Sequence, residues 1–140
     1  MRRSSLLGGY SMGFSGEILK VLVVEDNATF RGILKEFLQT FFPSIVIYEA
    51  AEGNEAFQIL DTYHPELVFM DIRLPGENGL KLTKRIKTND PDTKVIILTN
   101  YDMLEYQQEA LRSGANCFIS KDSMSWQQIE TCIKSFSQVQ

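Results

Sequence analysis

Five short apolar runs punctuate the chain, and four of them stop on polar residues. LKVLVV (Leu19 to Val24) runs into Glu25-Asp26-Asn27, and LVFM (Leu67 to Met70) into Asp71. VIIL (Val95 to Leu98) runs into Thr99, and NCFI (Asn116 to Ile119) into Ser120-Lys121. The remaining run is IVIY, Ile45 to Tyr48. Runs this short, bounded by turn signals, suit strands buried on both faces. Helix-periodic stretches separate them. Phe30, Ile33, Leu34, Phe37, Leu38 and Phe41 make one apolar face, with Asn27 as its N-cap. Gly53 to Leu60 is a short helix. Asn78 to about Thr88 is another, broken by Asn89-Asp90-Pro91. Asp102 to Arg112 is stopped by Gly114, and the last helix carries Trp126, Ile129, Cys132, Ile133 and Phe136. Strands alternating with helices imply an α/β fold, a doubly wound (βα)5 parallel sheet with right-handed crossovers.

A chain of 140 residues is expected to form one domain with a real core. Met1 to about Gly16 is Ser/Gly-rich and reads as a disordered leader or cloning remnant, leaving 17–140 as the domain. A net charge of -4 argues against a nucleic-acid surface, which needs clustered Lys and Arg. No apolar run reaches transmembrane length, so no membrane partner is expected. Cys117 and Cys132 lack metal-ligand spacing and read as reduced, buried thiols of a cytoplasmic protein.

In a parallel sheet the carboxyl ends of the strands share one edge, where open α/β sheets place their ligands. That edge gathers Glu25, Asp26, Asp71, Thr99 and Lys121. Carboxylates so placed repel one another unless a cation joins them, and hard oxygen donors select Mg²⁺. Lys121 adds positive charge and Thr99 a hydrogen-bond donor. The set suits phosphoryl transfer, where positioning and charge neutralisation carry the catalysis. A carboxylate can itself be the nucleophile, and Asp71, solitary on a central strand, is the best candidate.

The motifs VLVVEDN, MDIRLPGENGL, IILTN and FISKD, in this order and one per strand end, resemble response-regulator receiver domains of two-component signalling over about Ile18 to Phe136. The resemblance is greatest to receivers of LuxR/NarL-type transcriptional regulators. It implies the CheY-like, flavodoxin-like sheet order 2-1-3-4-5. It further implies that Asp71 accepts phosphate from a sensor histidine kinase, and that Glu25, Asp26, Asp71 and the Ile72 backbone carbonyl hold Mg²⁺. Thr99 and Lys121 would contact the phosphoryl group, and Phe118 would turn inward as Thr99 moves. The face made by the fourth helix, fifth strand and fifth helix would then shift. Such a protein is not a classical enzyme, although it catalyses its own phosphotransfer and dephosphorylation. Homodimerisation on phosphorylation is implied, with DNA reached only through an output domain beyond this chain. The sequence departs from the family at Asn100, where a small residue is usual, and at Asp122, where Pro is. Arg73 and Tyr101 flank the site as modulators of phosphoryl lifetime.

Blander readings exist for each residue alone. Glu25-Asp26 could serve a helix N-terminus, Thr99 a turn, Lys121 the solvated surface and Phe118 the core. His64, before Pro65, reads as an exposed turn residue, and Trp126 as core. Three other functions compete. An aspartyl-phosphate hydrolase would want an acid two residues after Asp71, where Arg73 stands. A flavin-binding protein would want a Gly/Ser/Thr-rich first loop, not Glu25-Asp26-Asn27. A phosphorylation-independent pseudo-receiver fits Asn100 but not the complete acid set.

Overall fold

The middles of the central strands are wholly apolar because both faces are covered. β1 (Lys20–Val24) buries Val21 to Val24, and β3 (Leu67–Met70) buries all its residues. The computed structural model describes residues 19–137. The other elements are α1 (Ala28–Phe41), β2 (Val46–Ala50), α2 (Gly53–Tyr63), β4 (Arg73–Leu74), β5 (Glu77–Asn78), α3 (Gly79–Asn89), β6 (Lys94–Thr99), α4 (Leu104–Arg112), β7 (Cys117–Ser120) and α5 (Trp126–Ser137). Five strands form a parallel sheet in the order β2-β1-β3-β6-β7. Counting that sheet alone, this is the expected 2-1-3-4-5. The small antiparallel β4–β5 hairpin, with Arg73 opposite Asn78, was not foreseen. Strand segments this short leave no periodic trace in a sequence.

Side-chain alternation along each strand divides the core into two layers. Val21, Val23, Leu67 and Phe69 face Leu34, Leu38 and Phe42 from α1 and its end, and Ile129, Ile133 and Phe136 from α5. Leu22, Val24, Val68 and Met70 face Ala56 of α2, Leu80, Leu82 and Ile86 of α3, and Ala110 of α4. Each large side chain so buried contributes roughly 1.5–3 kcal/mol of transfer free energy.

Helix ends follow local chemistry. The Asn27 side chain accepts the Phe30 N–H at 3.0 Å, as expected of an N-cap. Asn78, read as the first residue of a helix, is instead the N-cap of α3, accepting the Leu80 N–H at 2.7 Å. α2 runs on to Tyr63, and exposed His64 ends it in a left-handed conformation (φ 53). Gly114, at φ 95, follows α4 in the role expected of it. Met103 is extended and delays α4 to Leu104.

Two apolar readings need correction. Ile33 and Phe41 are 53% and 38% exposed, because the apolar stripe of α1 is wider than the surface the sheet and α5 offer it. Phe41 instead stacks on Trp126, ring centroids 4.0 Å apart. Cys117 and Cys132 are free thiols, half-buried rather than buried. The leader, 1–16, lies outside the described residues.

Candidate functional site

The register of the sheet places the sequence-predicted residues side by side. Val24 pairs with Met70 and Met70 with Ile97, so the residues after β1 and β3 emerge together at the edge where β6 ends. Thr99 lies opposite Ser120, one residue before Lys121. Glu25, Asp71 and Thr99 are all buried, while Asp26 is exposed. One carboxylate oxygen from each of Glu25, Asp26 and Asp71 falls within 4.8 Å of the others.

Lys121 sits between two of these acids. Its Nζ donates to Glu25 Oε1 at 2.5 Å and to Asp71 Oδ2 at 3.3 Å. The ammonium also lies 4.4 Å from the centroid of the Phe30 ring, a cation–π contact. Glu25 Oε2 accepts the Asn27 N–H at 2.9 Å, and Asp71 Oδ1 accepts the Ile72 N–H at 2.7 Å. Arg31 donates to the Glu25 carbonyl at 2.6 Å and pairs with Glu49 at 3.0 Å, tying α1 to the first loop and to β2.

Burial pushes the Glu25 carboxyl above the ordinary glutamate value, and the Asp71 charge adds to this. The hydrogen bonds from Lys121 and the Asn27 N–H oppose the rise without cancelling it. Burial alone would lower Lys121, but the Glu25 hydrogen bond and the charges of Asp71 and Glu25 outweigh it, holding the ammonium above the usual lysine value. The site thus carries more negative charge than one lysine can balance. Three clustered carboxylates offer the hard oxygen donors that Mg²⁺ takes, so the donor set fits a divalent cation of that class.

The third side of the site is Thr99, whose Oγ1 accepts the Tyr101 N–H at 3.2 Å. The Arg73 guanidinium lies 4.7 Å over the Tyr101 ring, and Tyr101 meets Tyr106 of α4 edge-on at 6.0 Å. The two expected flanking residues are therefore one stacked unit. Phe118 is half-buried and packs in the same layer as Tyr101 and Tyr106. Asn100 is exposed at the strand end. The Ile72 carbonyl accepts the Gly79 N–H at 2.7 Å, which leaves one lone pair of that oxygen free.

Three residues important to this geometry were not singled out from the sequence as parts of the site. Phe30 and Arg31 gave only helical-periodicity and charge signals. Gly79 was visible as a turn glycine, but not for the reason it is needed: a Cβ there would lie 1.8 Å from the Asp71 carbonyl oxygen. Only glycine lets α3 start this close to the chain that carries Asp71.

Comparisons with known proteins agree with this arrangement. The family described as the response regulator receiver domain matches residues 21–134. The oxygen regulatory protein NreC of Staphylococcus carnosus (strain TM300) is 37% identical over 106 residues, covering 75% of this chain and 49% of that protein. Its counterpart in Staphylococcus haemolyticus (strain JCSC1435) is 36% identical over the same length. The chain spans about half the length of the curated relatives it matches. Among solved structures, the receiver domain of a DNA-binding response regulator from Colwellia psychrerythraea 34H superposes with a TM-score of 0.80 at 25% identity, over 86% of this chain and 99% of that one. A LuxR-family DNA-binding response regulator from Staphylococcus aureus gives 0.78 at 21% identity, over 86% of this chain and all of that one, a likeness of fold. With the acid cluster, the lysine and the buried threonine in place at one sheet edge, this chain belongs to the response regulator receiver domain family.

Proposed function

We propose that the chain is a phosphorylation-activated switch in which Asp71 accepts a phosphoryl group from the phosphohistidine of a sensor histidine kinase. The observation that supports it most is the Glu25–Asp26–Asp71 cluster with Lys121 bridging two of its members. In the transfer an Asp71 carboxylate oxygen attacks phosphorus, the P–N bond breaks, and its electrons return to the imidazole of the donor. Glu25, Asp26 and Asp71 would hold Mg²⁺, with the Ile72 carbonyl as a further donor in the same reading. Bound there, the ion would neutralise charge developing on the phosphoryl oxygens.

The protein's own residues do the rest. The phosphoryl group adds roughly 1.5–2 negative charges. Lys121 gives up its long contact with Asp71 Oδ2 and follows the new charge. The Thr99 oxygen already accepts a backbone N–H, so its proton is free to be donated to a phosphoryl oxygen. Movement of Thr99 vacates space toward which the half-buried Phe118 turns, and the face of α4, β7 and α5 changes with it. Arg73 and Tyr101, stacked beside Thr99, set how readily water reaches the acyl phosphate, with exposed Asn100 between Thr99 and that stack. In this reading the chain catalyses its own phosphotransfer and dephosphorylation without turning over a separate substrate. Residues 17–140 form the switch in the cytoplasm. A paired kinase and phosphorylation-dependent homodimerisation complete it, and DNA is reached through an output domain of a longer regulator.

The test is intact mass after incubation with acetyl phosphate, with and without Mg²⁺, for wild type and Asp71→Asn. One phosphoryl adduct requiring both Mg²⁺ and Asp71 is expected. An adduct that persists in Asp71→Asn would assign the phosphate elsewhere. Absence of any adduct would favour the pseudo-receiver, with Asn100 the first residue to change.

A further inference from the structure

The Lys121 ammonium has three N–H donors and spends two of them on Glu25 and Asp71. Among the described residues no third oxygen takes a hydrogen bond from it; the face of the Phe30 ring lies there instead, 4.4 Å from Nζ to the ring centroid. Phe30 is half-buried in the first turn of α1, and its place is set from within the site. Glu25 Oε2 accepts the Asn27 N–H at 2.9 Å, and the Asn27 side chain accepts the Phe30 N–H at 3.0 Å. The Phe30 ring then covers the ammonium that donates to Glu25 Oε1. These contacts close on themselves, from Glu25 through Asn27, Phe30 and Lys121 back to Glu25. The ring also lines, with Glu25, Leu34, Asp71 and Leu98, a crevice too narrow for water. We propose that Phe30 is a positioning residue for the phosphoryl transfer proposed above, on which this inference rests, holding the Lys121 ammonium on its π face while the lysine passes from Asp71 to the phosphoryl group.

The chemistry of the third partner matters. A carboxylate or carbonyl in the ring's place would hold the ammonium by a directed hydrogen bond and compete with the incoming phosphoryl oxygens. An aromatic face attracts the charge through its quadrupole and fixes no direction for the N–H groups. Nζ can therefore give up its 3.3 Å contact with Asp71 Oδ2 and keep both the ring and Glu25. The Lys121 side chain is only 10% exposed, so the contact is largely desolvated, the setting in which cation–π attraction is strongest. A leucine at position 30 would fill much of the space and supply no π electrons. The ammonium would then be held by the acids alone, and would meet the developing phosphoryl charge less well. Loss of one such contact corresponds to a rate lower by about five- to tenfold.

The experiment follows phosphorylation of the full chain by saturating acetyl phosphate with Mg²⁺, as intact mass against time. It compares wild type, Phe30→Leu, Phe30→Tyr and a chain carrying trifluorophenylalanine at position 30. Fluorination keeps the shape and packing of the ring but withdraws its π electrons, so a purely structural role would leave the rate unchanged. Phe30→Leu and the fluorinated chain are expected to be slower by about five- to tenfold, and Phe30→Tyr to stay within about twofold of wild type. A fluorinated chain as fast as wild type would overturn the proposal. A second readout needs no phosphoryl group: NMR of lysine labelled with ¹³C at the ε-carbon. The Lys121 ε-protons should be shifted upfield by the ring in wild type and Phe30→Tyr, and lie at the ordinary lysine position in Phe30→Leu. Ordinary Lys121 shifts in wild type would also overturn the proposal. No adduct on wild type would sink the switch reading instead, and the hold of the ring on Lys121 would then be decided by the NMR signal.

Discussion

Replacing Lys121 by Met removes one charge from the middle of the acid cluster while keeping an apolar stem of similar length. The side chains of Lys121, Glu25 and Asp71 are 10%, 4% and 9% exposed. Unit charges about 4 Å apart at an effective dielectric near 20 interact by about 4 kcal/mol. Removing one partner of a buried pair typically costs about 3–5 kcal/mol. The site opens at one edge of the sheet, which places the expected loss for Lys121→Met near the lower figure, about 3 kcal/mol at about pH 7 with a metal chelator present. The loss should depend on pH in a definite direction. Glu25 lies above the ordinary glutamate value even with the ammonium present, through burial and the Asp71 charge. Without Lys121 it rises further, so the native variant binds a proton that the unfolded chain releases. That contribution is full below the unfolded value and lost as pH rises through the folded one. Lys121 itself, held above its usual value, stays charged throughout the acidic and neutral range. Urea unfolding at several pH values should therefore show the gap between variant and wild type narrowing from about pH 7 to about pH 5. Asp71→Asn in the Lys121→Met background should recover much of the loss. A gap under about 1 kcal/mol that does not change with pH would refute the reasoning, because it would describe a solvated surface pair.

Two glycine substitutions should have opposite signs. Gly79→Ala drives a Cβ onto the Asp71 carbonyl oxygen, so the backbone beneath the acid must move, at a cost of about 1–3 kcal/mol or more by urea midpoint. Gly32→Ala, in the exposed middle of α1 with nothing within 4 Å, should stabilise by about 0.5–1 kcal/mol. On the edge strand β2, burial would raise Glu49, but hydrogen bonds from Lys35 and Arg31 prevail and hold it below the ordinary glutamate value. Its contribution is complete above that ordinary value and lost as pH falls through the lowered one. The stability gap between wild type and Glu49→Gln should accordingly close in acid and stay open at neutral pH. Asn27→Ala should cost about 1 kcal/mol in thermal or urea unfolding by leaving the Phe30 N–H without its cap.

The strand runs and the polar residues that stop them are local signals, and they carried far. Apolar runs too short for buried helices, alternating with periodic stretches, leave little choice but a parallel sheet with helices on both sides. Parallel strands put their carboxyl ends on one edge, so the sequence alone groups Glu25, Asp26, Asp71, Thr99 and Lys121. Only the tertiary structure decided which atoms meet. It set Lys121 between Glu25 and Asp71 and over Phe30, stacked Arg73 on Tyr101, and turned the Thr99 oxygen to the Tyr101 N–H. It also left Ile33 and Phe41 outside the core and stacked Phe41 on Trp126. The reason is physical. A periodicity reports which face of an element is apolar, a property of one segment. The partner a side chain finds depends on how separate segments are set against one another, and no single stretch of chain contains that information.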